Sequence, residues 1–265
     1  MATKSVVKTL DILETVCKSD GPLDLQEISR MLDLPNSTTH RLLQTLLEYG
    51  YVRQDASTRK YSAGLKIFEL SQLMIGNIQF LDVAREPLQN LASTTHETVH
   101  LAVLDHHEVI YLRKYESAPP LALYSRVGRR APAYCTGVGK VLLAHLPPSE
   151  LRAFLGSVRL KQFTQKTITD RAALEVELAQ IRQQGYAIDN MEHEDGIYCI
   201  ACPIREHTGE VMAAISVTAP SLRLKLDDLM SFLPLVQKEV ATISQELGYV
   251  GPDSAVCNDK DPRPN

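Results

Sequence analysis

No stretch of the chain approaches the roughly 18 consecutive apolar residues that a membrane-spanning helix needs, and nothing ahead of Ser5 resembles a signal peptide. These absences predict a cytoplasmic protein with no membrane partner. Cysteine is sparse and odd in number, five in 265 residues, which argues against a disulfide framework and for reduced thiols. Surplus positive charge is also missing: the net charge is −4, so bulk electrostatics favour neither nucleic acid nor a membrane surface. There is no internal repeat, which excludes a repeat array. A metal site is not expected either. Cys199-Ile200-Ala201-Cys202 lies in an extended run where residues three apart point to opposite faces, and a structural zinc needs four converging ligands. No cofactor is predicted.

What is present is an ordinary globular composition with 44% hydrophobic residues, long enough for about two domains of roughly 100–200 residues each. The most informative stretch runs from Asp24 to Lys60. Asp24 followed by Glu27 has capping-box spacing, and Leu25, Ile28, Met31 and Leu32 recur with helical period. Pro35, in the break Asp33-Leu34-Pro35-Asn36, cannot continue that helix but suits the start of the next. Leu42, Leu43, Leu46 and Leu47 give the second helix one apolar face, and Gly50 closes it. Helix, tight break, helix is the helix-turn-helix pattern.

At about 100° per residue the leucines leave Ser37, Arg41, Gln44 and Glu48 on the opposite side, flanked by Thr38, His40 and Thr45. These include the side-chain types that pair with base edges and phosphates in a major groove. Tyr51-Val52-Arg53-Gln54 and Arg59-Lys60-Tyr61-Ser62 read as two short strands around a polar turn. That hairpin is the wing of a winged helix, with Arg53, Arg59 and Lys60 suited to phosphates. The first 75 residues hold nine Lys or Arg and nine Asp or Glu. The basic residues of the second helix and wing are nevertheless clustered, and local distribution matters more than the total. A three-helix protein-binding module is the alternative.

Ser5 to Val16 reads as the first helix. After the wing, Leu65, Phe68, Leu73 and Ile75 carry a helical period to about Met74, and a second helix follows from about Gln79 to Thr95. An apolar joining helix of this kind suits either a partner chain or burial in its own domain. From Glu97 the period becomes that of strands: 98–104, 108–112, 121–125, 186–190, 197–204 and 211–217. Helices are expected at 137–145, 149–155, 170–184 and 226–247. Strands in runs with helices between them predict an α+β domain, an antiparallel sheet covered by helices. The expected division is 1–64 winged helix-turn-helix domain, mainly α; 65–79 linker helix; 80–250 sensor domain; 251–265 disordered tail.

Two clusters invite chemistry. Cys135-Thr136-Gly137-Val138-Gly139-Lys140 departs from a phosphate loop, because Tyr134 and Val141 stand where Gly and Ser or Thr are required. Glycines at a helix start still leave backbone N–H groups for a small anion such as a carboxylate; close packing is the other explanation. Asp189, His193 and Cys199 suggest a hydrolase triad, yet no oxyanion site is identifiable, so no catalytic residue and no enzyme activity are expected. The charges from Glu192 to Asp195 read as a solvated turn.

Certain segments resemble the IclR family of transcriptional regulators over nearly the whole chain. They are SVVKTLDILE from Ser5, STTHRLLQTLLEYGYV from Ser37, PAYCTGVGKVLLA from Pro132, and Gly185-x-x-x-Asp189-x-x-Glu192-x-x-x-Gly196-x-x-Cys199-Ile200-Ala201. Glu97 to Leu101, Tyr124 to Arg130 and Gly139 to Ala144 look closest to its KdgR-like, sugar-acid branch. Arg205-Glu206 depart from the family pattern and read as a surface change at a strand end. The resemblance implies a dimeric or tetrameric repressor of a carbon-source operon that binds double-stranded DNA at a near-palindromic operator. Its sensor would be GAF-like and bind a small carboxylate, a sugar acid or 2-oxo acid. An activator responding to an aromatic acid is the alternative. The family's pocket positions fall on Leu123 and Ile197 as apolar wall, Gly137 and Val138 as carboxylate-binding amides, and Asp189, Cys199, Ser216 and Thr218 as ligand partners. For Ser216 and Thr218, two apart on one strand, hydroxyls satisfied by backbone remain an equal alternative.

Overall fold

The structure, a computed structural model, describes residues 3–76, 80–116 and 125–251. Contacts divide the chain into two compact units, 1–79 and 80–265.

The first unit contains helices α1 (Lys4–Lys18), α2 (Leu25–Met31) and α3 (Asn36–Glu48), the hairpin β1 (Val52–Gln54) and β2 (Tyr61–Ala63), and helix α4 (Leu65–Gly76). The capping box at α2 is complete: the Glu27 N–H donates to Asp24 Oδ1 at 2.8 Å, and the Asp24 N–H donates to Glu27 Oε2 at 2.7 Å. Such a cap contributes about 1 kcal/mol. At the far end of α3, Gly50 sits at φ +76. Its N–H reaches the Leu47 carbonyl and that of Tyr51 reaches Leu46, the paired bonds of a Schellman motif. Ile12, Val16, Ile28, Leu42, Leu43, Leu46, Val52 and Tyr61 form the core. Gly64 is held to glycine by a close approach, since a Cβ there would lie 2.1 Å from the Gly50 carbonyl oxygen.

The hairpin pairs Val52 with Ala63, Arg53 with Ser62 and Gln54 with Tyr61. The second strand therefore begins at Tyr61, two residues later than the sequence pattern placed it. Asp55 Oδ1 accepts from the backbone and hydroxyl groups of both Ser57 and Thr58, and the Asp55 N–H donates to the Lys60 carbonyl. That loop takes up Arg59, at φ +60, and Lys60.

The second unit is a six-stranded antiparallel sheet with order β5-β4-β3-β8-β7-β6. Its strands are β3 (Thr98–Asp105), β4 (Glu108–Tyr115), β5 (Arg130–Pro132), β6 (Ala187–Asn190), β7 (Ile197–Arg205) and β8 (Val211–Pro220). The helices are α5 (Phe80–Val83), α6 (Arg85–Thr95), α7 (Gly137–Ala144), α8 (Pro148–Ser157), α9 (Arg171–Gln184), α10 (Leu226–Met230) and α11 (Leu233–Glu246). The expected helix 79–95 is broken at Ala84 and the expected 226–247 between Met230 and Leu233. Strand β5 was not foreseen. The expected strand 121–125 lies outside the described residues apart from Ser125, as do Leu123 and the tail beyond Gly251.

Alternation along the strands sorts the sheet's two faces. Ala102, Ala187, Ala201 and Ala214 join Val138, Val141, Leu143, Leu174 and Leu178 in one core under α7 and α9. Helices α6 and α11 pack together, α6 on β3 and α11 on β7. Cys202 faces α11 beside Val240 and Ser244, whereas Cys199 faces α7. The two cysteines thus lie on opposite faces, as their spacing requires. Arg205 is half-buried rather than a surface residue: its guanidinium donates to the Gly209 carbonyl at 2.8 Å and lies over the Tyr249 ring.

Candidate functional site

In the first unit, α3 turns Leu42, Leu43 and Leu46 inward, which leaves Ser37, His40, Arg41, Gln44 and Thr45 exposed and Thr38 half-buried. Gln44 Nε2 lies 3.5 Å from His40 Nε2. On the hairpin, Arg53 is exposed and its Nε donates to Ser62 Oγ at 2.9 Å. Arg59 is exposed and Lys60 half-buried. The four hydrogen bonds from Ser57 and Thr58 hold the Asp55 carboxyl down at about 2, so the loop tip stays anionic between basic residues.

In the second unit a cavity of ≈ 330 Å³ opens between α7 and the sheet, near the small end of ligand sites. Gly137, Val138, Asp189, Ile197, Cys199, Ser216 and Thr218 all line it. Strand register explains the convergence. Asp189 pairs with Cys199, and Cys199 with Thr218; Ala201 pairs with Ser216, and Ser216 with His100. The pocket floor is therefore two adjacent rows running across β6, β7, β8 and β3. Gly137 begins α7 directly above: a Cβ there would lie 2.8 Å from Cys199 Sγ. The Thr136 hydroxyl donates to the Pro132 carbonyl at 3.0 Å and makes no cap, so the first-turn amides of α7 are not served by it. Its glycines both permit close packing and open a helix N-terminus, which favours an anion.

The floor is uncharged near neutral pH except at Asp189. Burial pushes the Asp189 carboxyl up to about 7, helped by Glu192 and opposed by the Glu192 N–H, which donates to its Oδ1 at 2.7 Å. Burial likewise pushes the Cys199 thiol up to about 12, with Asp189 adding to the shift. It holds His100 neutral, down at about 3, with Lys114 contributing. Burial raises Tyr111 too. At the rim, burial lowers His193 and raises Glu194, and Arg129 opposes the second shift.

The segment 192–195 is not the solvated turn the sequence suggested. Glu192 is buried, and its Oε1 lies 2.6 Å from Lys140 Nζ, which also meets Glu177 Oε1 at 2.7 Å. Lys140 is fully buried within α7. Burial works against its charge, but Glu192 and Glu177 outweigh burial and raise its pKa. Sequence reasoning missed this cluster because Lys140 was weighed only as a phosphate-loop lysine. It also missed His100, Tyr111, Ser125, Thr136, Phe163 and the rim residues Arg129 and Arg130, which come from separate elements. Only the strand alternation of His100 could have flagged one of them.

Asp189, His193 and Cys199 do meet around the cavity. Their chemistry is not that of an activated nucleophile, since the thiol is held protonated and its hydrogen bond goes to the Ile200 carbonyl at 3.8 Å. Among the described residues no group of three or more metal-type side chains is placed to hold a metal, and no helix is long and apolar enough to cross a membrane.

A helix-turn-helix head with a polar outer face and a separate α+β unit around a ligand-sized cavity define a DNA-binding transcriptional regulator with a ligand-binding domain. The comparisons agree. Residues 5–56 match the IclR helix-turn-helix domain, and residues 72–245 match the bacterial transcriptional regulator IclR C-terminal family. The chain belongs to the IclR family. It is 37% identical over 248 residues to the HTH-type transcriptional regulator KdgR of Escherichia coli, covering 94% of each chain. The crystal structure of the Thermotoga maritima IclR superposes with TM-score 0.78 at 31% identity, covering 93% of this chain and 99% of that one. An IclR homologue from Microbacterium hydrocarbonoxydans, complexed with 4-hydroxybenzoate, gives TM-score 0.81 at 26% identity over 92% and 98%. These relatives are transcriptional regulators, not enzymes.

Proposed function

We propose that this chain is a cytoplasmic repressor of a carbon-source catabolic operon, released or retained on DNA by a small carboxylate such as a sugar acid or 2-oxo acid. In this reading residues 1–64 are the DNA head, 65–79 the linking helix, 80–250 the effector domain and 251–265 a tail. The observation that carries the ligand class is the α7 N-terminus, which opens on Asp189 and Cys199 inside the cavity. Helix amides at Gly137 and Val138 would seat the carboxylate. Asp189, titrating about 7, would present little opposing charge in its protonated form. The likeness to KdgR supports the sugar-acid branch.

The aromatic-acid alternative has one observation in its favour, the 4-hydroxybenzoate held by the Microbacterium homologue. Against it stands the polar floor here, with His100, Ser216 and Thr218 in place of a uniformly apolar wall.

Homodimers or homotetramers are favoured by α1 and α4. Leu65, Phe68, Leu73 and Met74 are 81%, 63%, 60% and 58% exposed, and Val6 and Leu10 are 55% and 54% exposed, an apolar surface that a second copy would cover. Two α3 helices of a dimer would enter major grooves roughly 34 Å, or a multiple, apart on a near-palindromic operator.

The test pairs two measurements. A thermal-shift screen of sugar acids, 2-oxo acids and aromatic acids should raise the melting temperature for a carboxylate that binds the native state. In gel shifts at fixed salt, Arg41→Ala should weaken operator binding by roughly 5- to 100-fold, as for loss of one base or phosphate contact. Unchanged affinity would remove α3 as the reading helix.

A further inference from the structure

We propose that the second unit holds a further small-molecule site, a cationic cleft for a phosphate monoester, back to back with the cavity under α7 but built from different charges. The cleft, ≈ 600 Å³, lies between the turn 105–108, strand β5 and the segment 158–163. That volume falls in the range of ligand sites. Arg130 and Phe163 line both hollows, whereas Arg159 and Lys161 line the cleft and not the cavity. The proposal therefore stands apart from the carboxylate seat at α7 and uses none of its groups.

Charge accounting supplies the ligand class. The carboxylates in the cleft wall, Asp105 and Glu108, are already engaged. Asp105 accepts from the Arg130 guanidinium and lies 3.0 Å from His106 Nδ1, and Glu108 lies 3.6 Å from Arg130. Arg159 and Lys161 are both exposed, and among the described residues neither has a carboxylate partner. Lys161 Nζ stands instead 5.4 Å from the centre of the Phe163 ring. Two uncompensated positive charges on one wall suit a ligand with about two negative charges, which a phosphate monoester carries near neutral pH. A guanidinium offers paired donors matched to phosphate oxygens, and an ammonium adds a compact charge. The Phe163 ring, 40% exposed, gives the carbon side of the ester an apolar surface.

A fixed backbone separates this cleft from a merely solvated basic surface. Tyr134, which is buried, donates its hydroxyl to the Lys161 carbonyl at 2.7 Å and accepts from the Lys161 N–H at 2.8 Å. The Val158 N–H donates to the Phe154 carbonyl at 2.8 Å, and Leu160 packs against the core under α7. Arg159 and Lys161 are thus presented by a segment tied down on either side of each. Mainly side-chain ordering is left as a conformational cost of binding. Across the cleft, His107 is held by Ser157 Oγ at 3.1 Å and by the Phe154 ring.

The experiment is calorimetric titration of the full chain, at low salt, with glycerol 3-phosphate, phenyl phosphate and phenyl sulfate, the last a singly charged isostere. At least one phosphate ester should bind with a Kd of about 1 mM or tighter, and phenyl phosphate at least about fivefold more tightly than phenyl sulfate. Arg159→Gln and Lys161→Gln, both at exposed positions, should each weaken that ester at least about fivefold, the upper end for one exposed charge pair. Arg152→Gln, the same charge change on α8 outside the cleft, should leave it within about twofold. No binding of either ester would overturn the proposal, as would equal affinity for phenyl sulfate. Binding that survives both cleft substitutions would place the phosphate elsewhere, and equal losses in all three variants would reduce the effect to net charge. None of these outcomes touches the carboxylate reading.

Discussion

Replacing Lys140 by Met tests whether the buried ion cluster holds the ligand domain together. The substitution keeps the length of the side chain and removes its charge from a fully buried position between Glu192 and Glu177. The Glu177 side chain is 29% exposed and can return to water, so most of the cost falls on Glu192, 7% exposed. Removing one partner of a buried pair costs about 3–5 kcal/mol. For a domain of this size that is a fall in melting temperature of roughly 6–20 °C. Calorimetry should show the fall in the transition of the second unit, since two units do not share one unfolding free energy. The sign with pH is also fixed. Without Lys140, burial and the neighbouring Glu177 charge act on Glu192 against the weaker pull of the Asn190 N–H and lift its folded pKa further above the unfolded value. Native stability is then intact below the unfolded value and lost as pH rises, so the deficit should be larger at pH 8 than at pH 5. Lys140→Met/Glu192→Gln, with no charge left to strand, should recover much of the loss. A deficit under about 1 kcal/mol, or a double variant no better than the single, would refute the reasoning.

Asp189→Asn should be about as stable as the parent near pH 4 and more stable near pH 8. The folded carboxyl is raised to about 7, so its contribution is complete below the unfolded value and lost as pH rises through 7, with an upper bound of about 4 kcal/mol. Asn keeps the oxygen that accepts from the Glu192 N–H, and identical melting curves across this range would sink the assignment. The Cys199 thiol, raised to about 12, should react with iodoacetamide in the native protein about a thousandfold more slowly than in the denatured one. Rapid native labelling, read by peptide mapping, would reopen the Asp189, His193 and Cys199 hydrolase reading.

The head was legible because its signals are local. Asp24 with Glu27, Pro35 and Gly50 each act within one or two turns, and each produced the cap or break its chemistry predicts. The wing was misplaced by two residues because Asp55 gathers four hydrogen bonds from Ser57 and Thr58, and turn bonding of this kind can outweigh β-propensity. In the second unit most strands and helices followed from periodicity, whereas the cavity depended on register. Asp189 beside Cys199 beside Thr218 is a relation between three strands. Lys140 shows the same limit from the other side. Lysine is almost never fully buried unless paired, and its partners stand 37 and 52 residues away. No window along the chain contains them together.

The ion cluster also bears on how ligand and DNA binding could be linked. A ligand shifts an equilibrium only by its difference in affinity for two states, so a seat for it must be held differently in each. Asp189 takes its hydrogen bond from the Glu192 N–H, while the Glu192 carboxylate holds Lys140 of α7. The proposed carboxylate seat at the α7 amides and the Asp189 side chain beside it would therefore both be tied to one buried lysine. Moving α7 relative to the 192–195 turn would strain the ion cluster as well as the ligand. A packed, paired cluster tends to have discrete arrangements rather than a continuum. Ligand affinity in this domain is thus expected to follow the state of Lys140 and Glu192, although neither is among the side chains that line the cavity.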